Sequence, residues 1–342
     1  PNPAAARRSG LFAPGNRRGA GNAKAQWCDC CALALPVFQF HAVDIGYMRK
    51  QQDLPRHYSF EFFPPKGPKG EQRLDTARAE LAALGPAFFS VTFGAGGTTR
   101  SGTLKTVKAT MDATGISAAP HLSCIEGTRE SIRELLQTYA DNGVDRIVAL
   151  RGDIPEGMES PGEFSYANEL VGFIREEFGD RFHLEVGAYP EVHPETPDPA
   201  ADLDNFVRKV EAGADSAMTQ YFFNADAYFD FVERAEAKGV DIPIVPGVMP
   251  IPNWSQIKRF SAMCGADIPR WMERRLETYE QAGDEASVQA FAADAVTRMC
   301  ERLIEGGAPG IHFYALNRSE PTRTIWRNLG LPAADHTNAM AG

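Results

Sequence analysis

The sequence predicts a single-domain α/β protein, a (β/α)8 TIM barrel. Eight short runs of β-type residues alternate with segments that have helical spacing and charged faces. Such alternation is typical of parallel strands joined by right-handed helical crossovers. No G-x-G-x-x-G and no G-x4-G-K-[ST] follows any of these strands, which disfavours an open nucleotide-binding sheet.

The eight predicted strands cover residues 58–63, 87–92, 117–123, 146–150, 182–188, 216–223, 243–249 and 310–316. The clearest helical segments between them are residues 70–84, 128–141, 200–212, 225–238 and 284–306. Three strands have nearly the same approach, NGVDRIVAL, AGADSAMTQ and GGAPGIHFY. A glycine just past a helix suits the helix-ending position, which needs a positive φ. We expect the barrel to cover residues 58–332, followed by a flexible tail at 333–342.

Composition excludes several classes of protein. The chain has 342 residues, of which 43% are hydrophobic, and this is enough for a large core. A net charge of −10 disfavours a general nucleic-acid surface, because phosphate binding needs a basic patch. No apolar stretch approaches the roughly 18 residues of a membrane span. We therefore expect a cytoplasmic protein that binds neither nucleic acid nor membranes.

Residues 1–57 differ from the rest of the chain. They contain eight Lys and Arg residues against three Asp residues, and the first 25 residues show no periodicity. This predicts a disordered N-terminal extension, with Met48 as the natural start or with everything before it dispensable. Cys28, Cys30 and Cys31 lack the paired spacing of a zinc site, so no metal is predicted. The scattered cysteines elsewhere indicate reduced thiols.

Active sites of TIM barrels lie at the carboxyl ends of the strands. Glu61 stands in the first strand between Phe60 and Phe62, and loss of hydration there should raise its pKa and suit it for general acid catalysis. The alternative is a glutamate that faces solvent by strand alternation. Arg151 and Asp153 flank a glycine at the end of the fourth strand, where they can serve a site or simply form a local ion pair. The Gly-rich residues 94–97 can bring backbone N–H groups to a phosphate.

Eight motifs together resemble the methylenetetrahydrofolate reductase family, in family order and over residues 58–332. They are SFEFFPPK (59–66), SVTFGAGG (90–97), AAPHLSCI (118–125), IVALRGD (147–153), AYPEVHPE (188–195), RKVEAGADSAMTQYFF (208–223), IVPGVMPIPNW (244–254) and HFYALNR (312–318).

The resemblance implies that reduced FAD passes hydride to 5,10-methylenetetrahydrofolate and yields 5-methyltetrahydrofolate, with NAD(P)H reducing the flavin in a separate half-reaction. It implies that Glu61 protonates the folate amine and that Asp153 stabilises the cationic intermediate. Matching substrate positions are Glu61, Asp153, Gln220, Gln256, Phe260 and Arg318. Matching FAD positions are Thr92, Phe93, Ala95, His121, Arg151, Gly152, Asp153, Ala167, Tyr189, His193, Asp202, Asn205, Arg208 and Lys209.

Two departures from the family pattern affect these expectations. Phe93 replaces a tyrosine, so a hydroxyl contact to the flavin is lost, and the loop at 94–100 varies. The resemblance further implies a dimer or tetramer, a role in supplying methyl groups for methionine, and no S-adenosylmethionine feedback, since the chain ends shortly after the barrel. Alternative functions are a pterin-binding methyltransferase barrel, another flavin-dependent dehydrogenase barrel, or a barrel with a non-catalytic binding rim.

Overall fold

A computed structural model describes residues 49–93, 100–125, 127–153, 162–196 and 198–333, and it confirms the barrel. The strands form one parallel sheet in the order β7-β6-β5-β4-β3-β2-β1-β9-β8. Their bounds are β1 His57–Phe62, β2 Phe88–Val91, β3 Ala118–Ser123, β4 Arg146–Leu150, β5 His183–Ala188, β6 Ser216–Thr219, β7 Ile244–Val245, β8 Gly247–Val248 and β9 Gly310–Tyr314.

The predicted seventh strand is divided into β7 and β8 by Pro246. Proline has no N–H and therefore interrupts the ladder, although its carbonyl still accepts from His312 N at 3.0 Å. β7 pairs with β6 and β8 pairs with β9. Because the two halves pair with opposite neighbours, the interrupted strand closes the barrel.

Helices cover the outside of the sheet. They are α1 Arg49–Gln52, α2 Gly67–Ala82, α3 Arg100–Thr114, α4 Arg129–Asp141, α5 Ala167–Phe178, α6 Pro199–Glu211, α7 Ala225–Ala237, α8 Trp254–Cys264, α9 Arg270–Gln281, α10 Glu285–Glu305 and α11 Glu320–Asn328. The local sequence explains where two of these helices begin. Thr128 and Ser131 form a capping box at the start of α4, and Asp198 caps the start of α6. Among the described residues, no helix is long and apolar enough to cross a membrane.

Strand alternation separates two packed regions. The larger core lies between the strands and the helices, and it includes the fully buried rings of Phe60 and Phe62. A small second cluster formed by Phe88, Ala119, Val148 and Met218 fills part of the barrel interior. Since successive residues of β1 face opposite sides, Glu61 projects away from the two phenyl rings and into the barrel.

The predicted N-terminal extension overlaps an ordered segment at its end, because α1 and the start of β1 lie within residues 49–57. Gln51 is fully buried there. Its side chain donates to Ile242 O at 3.1 Å and accepts from Ile244 N at 2.9 Å, as a neighbouring strand would. The rest of the predicted extension lies outside the described residues.

Candidate active site

A cavity of about 280 Å³, here named the central cavity, opens at the carboxyl ends of the strands. It brings together five residues predicted from the sequence: Glu61, His121, Tyr189, Gln220 and Phe260. The rest of its lining consists of Val148, Leu150, Gly187, Met218, Tyr221, Met249, Cys264 and Tyr314. The site is thus one carboxylate in a largely apolar and aromatic setting.

Glu61 lies between two histidines inside the barrel. Its Oε2 atom is 3.2 Å from His121 Nε2 and 3.7 Å from His312 Nε2. Ser90 Oγ approaches the same oxygen at 3.5 Å. Behind His312, its Nδ1 atom makes a 2.7 Å hydrogen bond with Ser59 Oγ. A proton at Glu61 therefore has several neighbouring nitrogen and oxygen atoms that could accept it.

The expectation of a raised pKa for Glu61 is wrong for this structure. Burial alone raises the pKa, but the charge and hydrogen bonding of His121 and His312 outweigh it and hold the pKa at about 2. The error has a geometric origin. Alternation turns Phe60 and Phe62 toward the helices, so the carboxylate meets imidazoles where phenyl rings were expected.

Sequence reasoning did not single out Ser59, His312 or Tyr314, although all three surround the predicted acid. The parallel register sets Ser59 beside His312 and Glu61 beside Tyr314. Tyr314 OH donates a hydrogen bond to Thr219 O at 2.7 Å and so links β9 to β6 at the wall of the cavity. The sequence pattern that could have identified them is the alternation of side chains along a strand. Residues 59 and 61 share one face of their strand, as do residues 312 and 314.

A second cavity of about 400 Å³, here named the side cavity, adjoins the central cavity. The two share Leu150, Gly187 and Tyr189 as lining residues. The side cavity collects seven predicted cofactor positions, Arg151, Ala167, Tyr189, His193, Asp202, Asn205 and Lys209. Together the cavities form an elongated site with Glu61 at one end and polar groups from α6 at the other.

Charged groups in the side cavity are strongly influenced by burial. Burial lowers the pKa of Lys209 to about 8, with Asp202 opposing the shift. Asp202 is itself buried and accepts from His193 N at 3.1 Å. Burial also lowers the pKa of His193, whose ring contacts Tyr189 edge to face at 4.6 Å. With a pKa of about 8, Lys209 still carries its positive charge at neutral pH. A cation in this cavity is well suited to an anionic group of a ligand.

Arg151 and Asp153 do not form the local ion pair that was the alternative to a role in a site. Arg151 Nη2 instead binds Glu195 Oε2 at 2.6 Å across the loop that follows β5. Gly152 has φ +88°, and a Cβ there would lie 2.1 Å from Ser123 Oγ, so only glycine fits. Asp153 is exposed, and its charge adds to burial and to Asp202 in raising the pKa of Tyr189 to about 12.

The remaining predicted positions are more scattered. Thr92 and Phe93 are partly buried just after β2, and Ala95 lies outside the described residues. Arg208 is exposed and donates to Asn205 Oδ1. Gln256 and Arg318 line a separate neighbouring cavity of about 490 Å³.

No group of three or more metal-ligating side chains occurs among the described residues, and Cys28, Cys30 and Cys31 fall outside them.

Comparison with known proteins agrees with the resemblance. The profile of the family described as methylenetetrahydrofolate reductase matches residues 48–330. The 5,10-methylenetetrahydrofolate reductases of Salmonella typhimurium and Escherichia coli are each 41% identical over 273 residues, which is 80% of this chain and 90% of theirs. Methylenetetrahydrofolate reductase (NADH) 1 of Arabidopsis thaliana is 36% identical over 287 residues, covering 80% of this chain and 48% of the plant protein.

The fold is also similar to that of a solved structure. An uncharacterized protein from Clostridium thermocellum that binds two copies of 5-methyl-5,6,7,8-tetrahydrofolic acid superposes with a TM-score of 0.59. The sequences are 16% identical, and the match covers 83% of this chain and 97% of that one. At this identity the similarity supports the barrel fold alone.

Proposed function

Because this chain belongs to the methylenetetrahydrofolate reductase family, we propose that it reduces 5,10-methylenetetrahydrofolate to 5-methyltetrahydrofolate with FAD as cofactor and NAD(P)H as electron donor. The observation that carries the proposal is the placement of Glu61. It is a partly buried carboxylate between His121 and His312, in a cavity that continues into a second, polar cavity.

The two joined cavities fit FAD by their chemistry. Lys209 offers a partly buried cation for a diphosphate, while Leu150, Gly187 and Tyr189 form a largely apolar wall that the two cavities share. Arg151, Ala167, His193, Asp202 and Asn205 complete the side cavity as further contacts. When bound, FAD would accept hydride from NAD(P)H and donate it to the folate in separate half-reactions.

Proton supply falls to the group around Glu61. The methylene bridge of the substrate must open before it can accept hydride, and opening needs a proton on the folate amine. With its pKa at about 2, Glu61 does not hold a proton alone at neutral pH. Glu61, His121 and His312 instead share a proton as one coupled group, and Glu61 delivers it at the cavity surface.

The other predicted substrate residues bind and orient the folate. Opening the bridge leaves a cation, and the carboxylate of Asp153, whose charge acts on Tyr189 and Cys264 at the cavity wall, would stabilise it. Gln220 and Phe260 line the central cavity, where an amide can contact the pterin and a ring can pack on it. As further parts of the proposal, the protein is a cytoplasmic homo-oligomer that supplies methyl groups for methionine synthesis.

Anaerobic spectroscopy of the purified protein tests the function. We expect a yellow protein whose flavin absorbance bleaches with NADH or NADPH and returns when 5,10-methylenetetrahydrofolate is added. Formation of 5-methyltetrahydrofolate is measured in parallel by chromatography. A protein that neither contains nor rebinds flavin, or whose reduced flavin is not reoxidised by the folate, would contradict the proposal.

A further inference from the structure

The loop that follows β5, residues 189–196, carries two aromatic side chains of the candidate active site. Tyr189 lines both cavities, and His193 lines the side cavity. Between them stands Val192, whose φ is +74°. A positive φ is a genuine outlier for a β-branched residue, because its Cβ crowds the backbone, and Val192 is the only such residue among those described. The loop therefore has a strained backbone between the two rings that it places.

The part of this loop that follows Val192 is held by α6. His193 N donates to Asp202 Oδ2 at 3.1 Å, and Thr196 Oγ1 lies 3.5 Å from Asp202 Oδ1. Within the loop, Thr196 N donates to His193 O at 2.9 Å. A strained backbone persists only where its surroundings enforce it from more than one direction. A second attachment is therefore expected on the other side of Val192.

The carboxylate of Glu191 makes this second attachment. Its Oε2 atom accepts from Asp267 N at 2.9 Å, in the segment between α8 and α9. Pro194 packs on the same segment, since a Cβ at Gly265 would lie 2.8 Å from Pro194 Cγ. Gly265 ends α8 with a φ of +73°. The loop after β5 is thus joined to the end of α8 by one hydrogen bond and one close packing contact.

Glu191 acts in this contact as a hydrogen-bond acceptor. The side chain is partly buried, and none of the cations that the structure describes forms an ion pair with it. Burial raises the pKa of Glu191 to about 7, against the hydrogen bond from Asp267 N, and the charge of Asp267 adds to the rise. Because the hydrogen bond needs only an oxygen that accepts, an amide of the same shape can replace the carboxylate.

The helix at the other end of this contact belongs to the same site. Phe260 and Cys264 of α8 line the central cavity. Tyr221, which lines it as well, makes a 3.2 Å hydrogen bond between its hydroxyl and Ser261 Oγ of α8. The contact between the loop after β5 and the end of α8 therefore joins a wall of the side cavity to a wall of the central cavity.

We propose that Glu191 is a positioning residue for the flavin, and that it acts by holding Val192 in its strained conformation. The hydrogen bond from Asp267 N to Glu191, here named the Glu191 clamp, keeps φ of Val192 positive. That conformation in turn fixes Tyr189 and His193 at the cofactor. The inference rests on the proposed function, in which both rings contact FAD. Without the clamp, the loop relaxes toward negative φ and both rings leave their places.

Dissociation of FAD from the full-length holoenzyme, followed by flavin fluorescence on dilution, tests this assignment. We expect Glu191→Ala to raise the Kd of FAD by about tenfold, as the loss of one partly buried hydrogen bond would. Glu191→Gln keeps an oxygen that accepts from Asp267 N, so its Kd should stay within about threefold of the wild type. A glutamine variant as weak as the alanine variant would show that the charge matters instead, and it would overturn the clamp.

Val192→Gly tests whether Glu191 acts through the strain. Glycine adopts a positive φ without a steric penalty, so it no longer needs the clamp. Glu191→Ala/Val192→Gly should therefore recover most of the FAD affinity that Glu191→Ala loses, while Val192→Gly alone stays within about threefold of the wild type. A double variant as weak as Glu191→Ala overturns the assignment. If Glu191→Ala is insoluble, a soluble double variant supports the clamp, and insolubility of both assigns Glu191 to the fold as a whole and overturns it.

Glu163→Ala is a matched control. The Glu163 carboxylate also accepts from a backbone N–H of another segment, Arg129 N at 2.5 Å, but no β-branched residue of positive φ lies beside it. This variant should keep the wild-type Kd of FAD, and a tenfold loss here would attribute the effect to general loosening of the loops and overturn the clamp.

The wild type separates the clamp from the reaction. If the wild type binds FAD and reduces the folate, and Glu191→Ala has the same Kd of FAD, the clamp is overturned and the proposed function stays intact. A wild type that neither contains nor rebinds FAD overturns the proposed function, and the clamp with it.

Discussion

The two ends of the barrel each contain a glutamate with little exposure and a pKa held at about 2, yet the two sites differ in what surrounds the carboxylate. Toward the amino ends of the strands, Glu185 binds Arg146 and lies 3.4 Å from His183 Nε2. Toward the carboxyl ends, Glu61 has His121 and His312 as its neighbours and lines a cavity. The pKa of Glu185 is lowered by a hydrogen bond with His183 and by the charge of Arg146, whereas the pKa of Glu61 is lowered by two histidines at a cavity.

This difference shows that a shifted pKa alone does not identify a catalytic residue. The guanidinium of Arg146 cannot release a proton near neutral pH and also packs over the ring of Phe88 at 4.4 Å. Glu185 is therefore held as a structural ion pair. In the proposed reaction, the two imidazoles beside Glu61 share the proton that Glu61 delivers, and the adjoining cavity holds the folate that receives it.

The largest expected effect is on catalysis, from Glu61→Gln. The amide keeps the size of the side chain but cannot carry the proton, so folate reduction should fall by about 10² to 10⁴-fold. Flavin reduction by NAD(P)H needs no such proton and should persist. Stopped-flow measurement of the two half-reactions tests this, and equal loss in both would remove Glu61 from the acid role.

The matched change at the other end, Glu185→Gln, should act on stability. It leaves the Arg146 guanidinium, only 25% exposed, without its carboxylate, which should cost about 3 kcal/mol in the free energy of unfolding. Denaturant unfolding measures this loss. Activity per folded molecule should remain near the wild-type value, and a selective loss of folate reduction would contradict the division between the two ends.

On acidification, the two glutamates should show the same loss of their contribution to stability. Each folded pKa is about 2, below the usual 4.5, so the stability that each contributes is complete above pH 4.5 and is lost as the pH falls toward 2. In this range each glutamate adds up to about 1.4 kcal/mol per pH unit to the slope of the free energy of unfolding against pH. The stability gap between wild type and each glutamine variant should therefore close on acidification. A gap that stays constant down to pH 2 would show that the pKa is not lowered.

A smaller effect is expected at Gln51, again at the amino ends of the strands. Gln51→Ala removes two hydrogen bonds and leaves Ile242 O, just before β7, and Ile244 N, at the start of β7, without these partners. A loss of about 2 kcal/mol in unfolding free energy should follow, without a change in the KM for folate. Thermal and denaturant unfolding with parallel kinetics measure both quantities.

Deleting residues 1–47 should have the smallest effect of all. The described barrel begins at Arg49, so the deletion keeps α1 and the Gln51 contacts. Melting temperature and activity should match the full chain, whereas removal through Asp53 should reproduce the Gln51→Ala loss. An inactive or insoluble 48–342 fragment would give the N-terminal residues a role that the sequence pattern does not predict.

Local patterns in the sequence were sufficient for the fold. Alternating strand and helix segments, glycines at helix ends and cap residues act over a few neighbours, and they placed eight strand regions close to their observed positions. The carboxyl-end rule also singled out Glu61, His121, Tyr189 and Gln220, which line one cavity, whereas Phe260 in the same cavity was predicted from the family resemblance. The interruption at Pro246 was readable in principle from the missing N–H.

What required the tertiary structure was the set of contacts between distant parts of the chain. Ser59 and His312 meet because β1 and β9 are neighbours in the closed barrel, although 253 positions separate them. The same closure places histidines beside Glu61 and lowers the pKa that sequence context predicted to rise. The sequence determined by itself that a carboxylate stands at this position on the rim. Its charge state depended on which side chains the barrel brings within 4 Å, and local pattern does not carry that information.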